Sequence, residues 1–204
     1  MEIGVVMAKG KGKGSQFERD ICFALSRWWT QGVRDDIYRR SATSGGRATV
    51  RSKVGKRTAG QYGDIAIADP LGQPLIALAT IELKTGYPGQ SPFDMVDRVG
   101  KQNPKYKQFF EQCEREKREA QVPFWMLIAR RKQKDIMIYI PFKLYTMLSN
   151  HTWAHIDEAF PSVRLSVAIK SKQRKIFGCP LSEFLTLVKP NHIYDVLKIV
   201  KGIE

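Results

Sequence analysis

Cysteine and histidine are both scarce in this chain. Cys22, Cys113 and Cys179 are its only cysteines; an odd number at wide spacing argues against a disulfide framework and fits a reducing compartment. Three histidines leave little material for a zinc site. His151 and His155 stand one helical turn apart, but no third ligand accompanies them and they read as a surface pair. Long apolar runs are also missing. No stretch approaches the roughly 20 residues that span a bilayer. The apolar stretch behind Met1 is too short for a signal-peptide core and has no small-residue cleavage site. A cytoplasmic protein with no membrane partner is the expectation.

Acidic residues are outnumbered, with 20 Asp and Glu against 34 Lys and Arg, a formal net charge of +14. Such an excess concentrates a polyanion and releases counterions as phosphates are neutralised. Nucleic acid is the expected partner. An anionic membrane, or a merely basic surface, would explain the same count, and charge says nothing about catalysis. What the chain has in quantity is hydrophobic residues, 43% of 204, enough for a sizeable core in one domain.

Ala8 to Gly14 alternates Lys and Gly, so residues 1–14 are expected to form a flexible basic arm carrying Lys11 and Lys13. Ser15 opens a helical pattern. Phe17, Ile21, Ala24 and Trp28 share one stripe, Glu18, Cys22, Leu25 and Trp29 the next, and Gly32 ends it. A short strand is expected over Asp36–Ser41, then a polar segment from Ala42 to Gln61. A loop of that length is usually functional or disordered. Tyr62–Ala68 and Leu75–Thr85 read as two strands joined by a turn at Asp69–Gly72. A short helix over Phe93–Val99 and a longer one from Asn103 to about Ala120 follow. Phe124–Ala129 and Ile136–Ile140 make a second strand pair, with a helix after Pro141. Residues 15–148 are thus the expected core domain. Residues 149–204 look like a C-terminal α+β extension packed on it, with a hairpin over Val163–Ile169 and Lys175–Gly178.

Gly63-Asp64-Ile65 and Ile81-Glu82-Leu83-Lys84 stand out. Side chains alternate faces along a strand, so Glu82 and Lys84 point one way and Ile81 and Leu83 point into the core. Two charged groups on an apolar strand are costly to bury without a partner. If the hairpin sets Asp64 beside Glu82, a divalent cation relieves their repulsion. Hard oxygen ligands suit Mg²⁺, and the Leu83 carbonyl can add one more. Such a metal polarises a phosphate and makes water more acidic, while Lys84 orients water or stabilises developing charge. Glu18 has two readings. It is the N3 residue of a Ser15-x-x-Glu18 capping box, or, leaning inward with Cys22 and Leu25, an acidic group serving the same site.

Four stretches, in order, carry a resemblance: Lys13-Gly14-Ser15-Gln16-Phe17-Glu18-Arg19-Asp20, Arg40-Ser41-Ala42-Thr43-Ser44-Gly45-Gly46, Gly63-Asp64-Ile65 and Ile81-Glu82-Leu83-Lys84-Thr85. The chain resembles the PD-(D/E)XK nucleases, and within them is most similar to the archaeal-type Holliday junction resolvases, over roughly residues 10–141. The resemblance implies an α/β fold of the restriction-endonuclease type, an αβββαβ core whose central mixed sheet is flanked by helices. It implies Asp64 and Glu82 as metal ligands, Lys84 as the catalytic lysine, Glu18 as an acidic residue reaching the metal directly or through water, and Ser41 near the scissile phosphate. Mg²⁺, replaceable by Mn²⁺, is the implied cofactor, a four-way DNA junction the implied substrate and a homodimer the implied assembly. Gly63 departs from the family's pattern, standing where its name motif has proline. Residues 142–204 lie beyond the likeness.

Candidate DNA contacts are Lys11, Lys13, Arg40 and the polar-segment residues Arg47, Arg51, Lys53, Lys56 and Arg57, whose neighbours Gly45, Gly46, Gly55 and Gly60 allow close backbone approach. Gln102 and Tyr106 match a Q-x-x-x-Y element that orients substrate in some relatives, although Pro104 between them places the pair across a helix start. Basic tips at Arg130–Lys134 and Lys170–Lys175 are equally well read as solvated turns. Two other functions fit the same residues: a restriction- or repair-type nuclease acting on linear or flapped duplex, and a non-catalytic DNA-binding module of this fold. An intact Asp64, Glu82 and Lys84 set argues against the second.

Overall fold

The computed structural model describes residues 13–41, 62–97, 104–152, 161–169 and 172–203. Its elements run α1 (Lys13–Trp29), β1 (Tyr38–Arg40), β2 (Ile65–Ile67), a 3₁₀ turn (Pro70–Gly72), α2 (Gln73–Leu78), β3 (Ala79–Thr85), α3 (Asp94–Asp97), α4 (Lys105–Ala120), β4 (Phe124–Arg130), β5 (Ile136–Pro141), α5 (Phe142–Thr152), β6 (Val163–Ile169), β7 (Lys172–Pro180), α6 (Leu181–Leu187) and α7 (Pro190–Lys201). The result is an α/β fold with a mixed sheet flanked by helices, as the likeness to restriction-endonuclease cores implies. Strand order is β3-β4-β5-β7-β6, with β3 and β4 parallel and the remaining pairs antiparallel. β1 and β2 form a separate antiparallel ribbon.

Helix α1 forms because its apolar stripe has somewhere to go. Phe17, Ile21, Cys22, Leu25 and Trp29 are all buried in the larger core. The helix stops where Gln31 and Gly32 take positive φ and the Gly32 N–H returns to the Arg27 carbonyl, a left-handed C-terminal closure. Ser26 then ties the helix to β1. Its buried hydroxyl donates to the Cys22 carbonyl at 2.8 Å and accepts the Tyr38 N–H at 2.9 Å.

Both faces of the sheet are covered, so the first six residues of β4 are all buried, as a strand sandwiched between two layers requires. On one face α4 seats Tyr106, Phe109, Phe110 and Cys113 against Trp125, Leu127, Tyr139 and Ile176. On the other, α1, α2, α5, α6 and α7 enclose Ile81, Leu83, Met126, Ile138 and Phe177. The stretch set apart on sequence grounds as an extension supplies two strands of this same sheet, with β7 hydrogen-bonded to β5. Trp28 binds it to α1 by donating its indole N–H to the Val188 carbonyl at 2.7 Å. Among the described residues no helix is long and apolar enough to cross a membrane.

Two strand expectations need correction. The expected strand over Leu75–Thr85 is a helix as far as Leu78 and extended only from Ala79, and the one expected over Tyr62–Ala68 shortens to Ile65–Ile67. Residues 62–85 are therefore not a hairpin. Asp69 caps the 3₁₀ turn by accepting the Leu71 N–H, and Pro70 and Pro74 sit at helix starts, where a missing N–H costs nothing. Leu75 and Leu78 bury α2. An apolar run of this kind has no period of its own to announce which form it takes.

Candidate active site

The β1–β2 ribbon meets the open edge of β3 at Asp64, which is held at three points. Its N–H donates to the Ile81 carbonyl at 2.8 Å, its own carbonyl accepts the Ser41 N–H at 2.8 Å, and its Oδ2 accepts the Leu83 N–H at 2.8 Å. Gly63 makes this approach possible. It has φ +77°, and a Cβ there would lie 2.7 Å from the Ile81 carbonyl oxygen. Proline, with φ fixed near −65°, cannot take that conformation. The departure from the family's proline thus follows from how closely this ribbon abuts β3.

From β3, Glu82 and Lys84 project towards α4, while Ile81 and Leu83 enter the core. Glu82 is buried, at 2% exposure. Its Oε2 accepts from Lys84 Nζ at 2.8 Å and from Gln112 Nε2 at 2.7 Å. Lys84 also lies 5.8 Å from the centre of the Phe109 ring. An open cavity of about 330 Å³ runs along this edge, lined by Glu18, Arg40, Asp64, Leu83, Lys84 and Tyr87 among others. Glu18 enters it from α1, paired with the Arg40 guanidinium, whose Nη1 donates to Ser15 Oγ at 2.9 Å. Because α1 begins at Lys13, Ser15 lies within the helix and is not its cap, so the capping-box reading of Ser15 and Glu18 is not realised.

Electrostatics at this edge are strained in one direction. Burial raises the Glu82 carboxyl well above the usual range; the neighbouring Glu116 and Asp64 carboxyl groups add to this, and Lys84 opposes it. Burial also raises Asp64, against the pull of Lys84 and the Leu83 N–H. Lys84 feels burial as a penalty on its charge, but Glu82 outweighs it and the ammonium is held more firmly protonated than in water. Two acidic groups, Asp64 and Glu82, thus share one lysine, with Glu116 beside them. Such a cluster is stabilised by added positive charge.

A family model described as "Phage putative PDDEXK endonuclease" matches residues 9–195. The chain belongs to that family. No curated protein and no solved structure matches it. Membership makes the chain a PD-(D/E)XK nuclease, a class that uses divalent metals and acts on DNA.

The donors present fit such a metal. Asp64 and Glu82 carry hard oxygen donors of the type such an ion takes. The Leu83 carbonyl faces the same edge as the Leu83 N–H that binds Asp64, since both groups of one strand residue point to one side. Among the described residues, no group of three or more His, Cys, Asp or Glu side chains is placed to hold a metal ion. Two carboxylates with a carbonyl are the open kind of set that Mg²⁺ uses, leaving room for water and phosphate oxygens.

Other sequence-based candidates fall in different places. Ser41 is buried directly after β1, bonded through its N–H to Asp64. Arg40 lies at the cavity. Tyr106 does not: it is buried against Phe109, Phe110 and Tyr139. Lys11, Arg47, Arg51, Lys53, Lys56, Arg57 and Gln102 lie outside the described residues, as does the Lys13 side chain. Sequence reasoning missed Gln112, Glu116 and Tyr87. Gln112 and Glu116 border the apolar stripe of α4 one turn apart, the one local signal they give.

Proposed function

We propose that this protein is a Mg²⁺-dependent DNA endonuclease that cuts four-way junctions and works as a homodimer, Mn²⁺ replacing Mg²⁺. The observation that carries the reading is convergence: Asp64, Glu82 and Lys84 meet at one strand edge, with Glu18 and Arg40 across an open cavity. Asp64, Glu82 and the Leu83 carbonyl would hold the cation, and Glu18, which lines the same cavity as Asp64, would join through water. Bound there, the ion supplies Lewis acidity towards a phosphate oxygen and towards water. Lys84 Nζ, fixed by Glu82, presents a compact positive charge to the pentavalent phosphate in the transition state, where a preorganised donor is worth most. Arg40 and the basic surface hold the flanking phosphates. Ser41 keeps Asp64 and the scissile phosphate in register.

The order and content of the four sequence stretches favour a junction over plain duplex. A junction needs two opposed cuts, hence two active sites and a pair of chains. The test is Mg²⁺-dependent cleavage of a four-way junction, a flap and the component duplexes, with wild type beside Glu82→Ala. Paired, ligatable nicks in the junction alone, abolished by Glu82→Ala, are expected. Equal cutting of plain duplex refutes the substrate, and full activity in Glu82→Ala refutes the site.

A further inference from the structure

Helix α4 carries a half-buried polar pair that the proposed chemistry leaves unused. Gln112 Nε2 donates to Glu82 Oε2 at 2.7 Å and to Glu116 Oε1 at 2.8 Å, and Glu116 Oε2 accepts the Gly63 N–H at 3.1 Å. An amide nitrogen has two N–H donors, and both are spent on carboxylate oxygens. The chain of bonds therefore runs from Glu82 on β3, through two side chains one helical turn apart, to the backbone immediately before Asp64. Glu82 lies in β3 of the five-stranded sheet, whereas Asp64 directly precedes β2 of the separate ribbon. The helix between them is anchored independently, because Tyr106, Phe109, Phe110 and Cys113 fill the second core and Glu114 accepts the Trp125 indole N–H at 3.0 Å. Gln112 and Glu116 are not needed to seat α4. Placing an extra carboxylate beside two others is costly, and a packing role gives no reason for it.

We infer that Gln112 and Glu116 are positioning residues, a clamp that sets the separation of Asp64 and Glu82 and with it the fit of the divalent ion. This rests on the reading that those two carboxylates hold the ion. The clamp touches neither substrate nor cation. It acts through Glu82 and through the Gly63–Asp64 backbone, as residues behind metal ligands do when they fix ligand orientation.

The test is a titration of the full chain with Mn²⁺ in the absence of DNA, followed by calorimetry or electron paramagnetic resonance, on wild type, Gln112→Met, Glu116→Ala and the double variant. Methionine keeps the reach and volume of glutamine and removes its donors. Each single variant is expected to bind Mn²⁺ about tenfold more weakly. Its kcat should fall while KM for DNA holds, and its melting temperature should stay within about 4 °C of wild type. The double variant should be little worse than either single one, because both break the same chain of bonds. Mn²⁺ affinity within twofold of wild type in both single variants overturns the inference, and so does a loss that comes only with a melting temperature lowered by more than about 10 °C. If Gln112→Met does not fold, Glu116→Ala decides by the same criteria. A wild type that binds Mn²⁺ but cuts no DNA refutes the proposed function and leaves the clamp to be judged on the titration.

Discussion

Replacing Gly63 with alanine tests whether the close approach of the β1–β2 ribbon to β3 sets the geometry of the site. Two effects add. A side chain in the positive-φ region costs about 1–2 kcal/mol, and Gly63 sits at φ +77°. The new Cβ would also stand 2.7 Å from the Ile81 carbonyl oxygen, where ordinary contact begins at 3.4 Å; about 0.7 Å must open against backbone, which cannot rotate away as a side chain can. The neighbouring Asp64 N–H bond to the same oxygen is 2.8 Å long, so an opening of that size breaks it, at a further cost of about 1 kcal/mol. A total destabilisation of roughly 2–4 kcal/mol is expected, readable by denaturant unfolding. Catalysis should suffer more than stability. Displacing Asp64 by most of an ångström lowers the single-turnover rate by about 100-fold, measured where the variant is fully folded. An alanine variant that unfolds within 0.5 kcal/mol of wild type, by about the usual scatter of surface substitutions, and cuts at an undiminished rate would refute the reasoning.

Three further outcomes are expected. Lys84→Met should lower kcat by about 100–1,000-fold while DNA still binds in a mobility-shift assay; retained kcat would remove Lys84 from the chemistry. Ser26→Ala leaves the Tyr38 N–H without its acceptor and should cost about 1–3 kcal/mol in denaturant unfolding, with no change in the metal requirement. Burial pushes the Cys22 and Cys179 thiols up to about 12, and raises Cys113 as well. At pH 8 the native chain should therefore react slowly with a disulfide reagent and release all three thiols only on unfolding. The same shifts have a sign for stability. An unfolded cysteine loses its proton near pH 8.5, whereas the folded chain retains it, so the thiols' contribution is intact below that pH and is lost as pH climbs towards 12. Stability that rises over this interval would contradict the burial.

Helix α1 was legible because its apolar residues repeat with helical period and its end is marked by Gly32. Glu82 and Lys84 were legible for the opposite reason, as charges interrupting an otherwise apolar strand. Residues 73–78 were not, since Pro-Leu-Ile-Ala-Leu fits a buried helix as well as a strand and only the Asp69 cap and the packing of Leu75 and Leu78 choose between them. The expected hairpin was wrong in its connection, yet the neighbours it called for, Asp64 beside Glu82, are present through a ribbon that docks from the side. Gln112 and Glu116 were hidden because their partners lie 30 to 53 residues away in sequence, and no local pattern encodes such a contact. Strand order is equally non-local. That β7 pairs with β5, drawing the C-terminal residues into the central sheet, follows from burial on both faces and not from any spacing.

A sheet margin with unpaired peptide groups invites other chains to add to it. At β3 two of those groups, the Ile81 carbonyl and the Leu83 N–H, are consumed by Asp64. One acidic residue thus also blunts a sticky border, and the two duties come apart on mutation. Removing the Asp64 side chain to make an inactive protein bares the Leu83 donor and favours self-association, whereas Glu82→Gln leaves the border sealed. For trapping uncut DNA, the glutamine variant is the sounder choice.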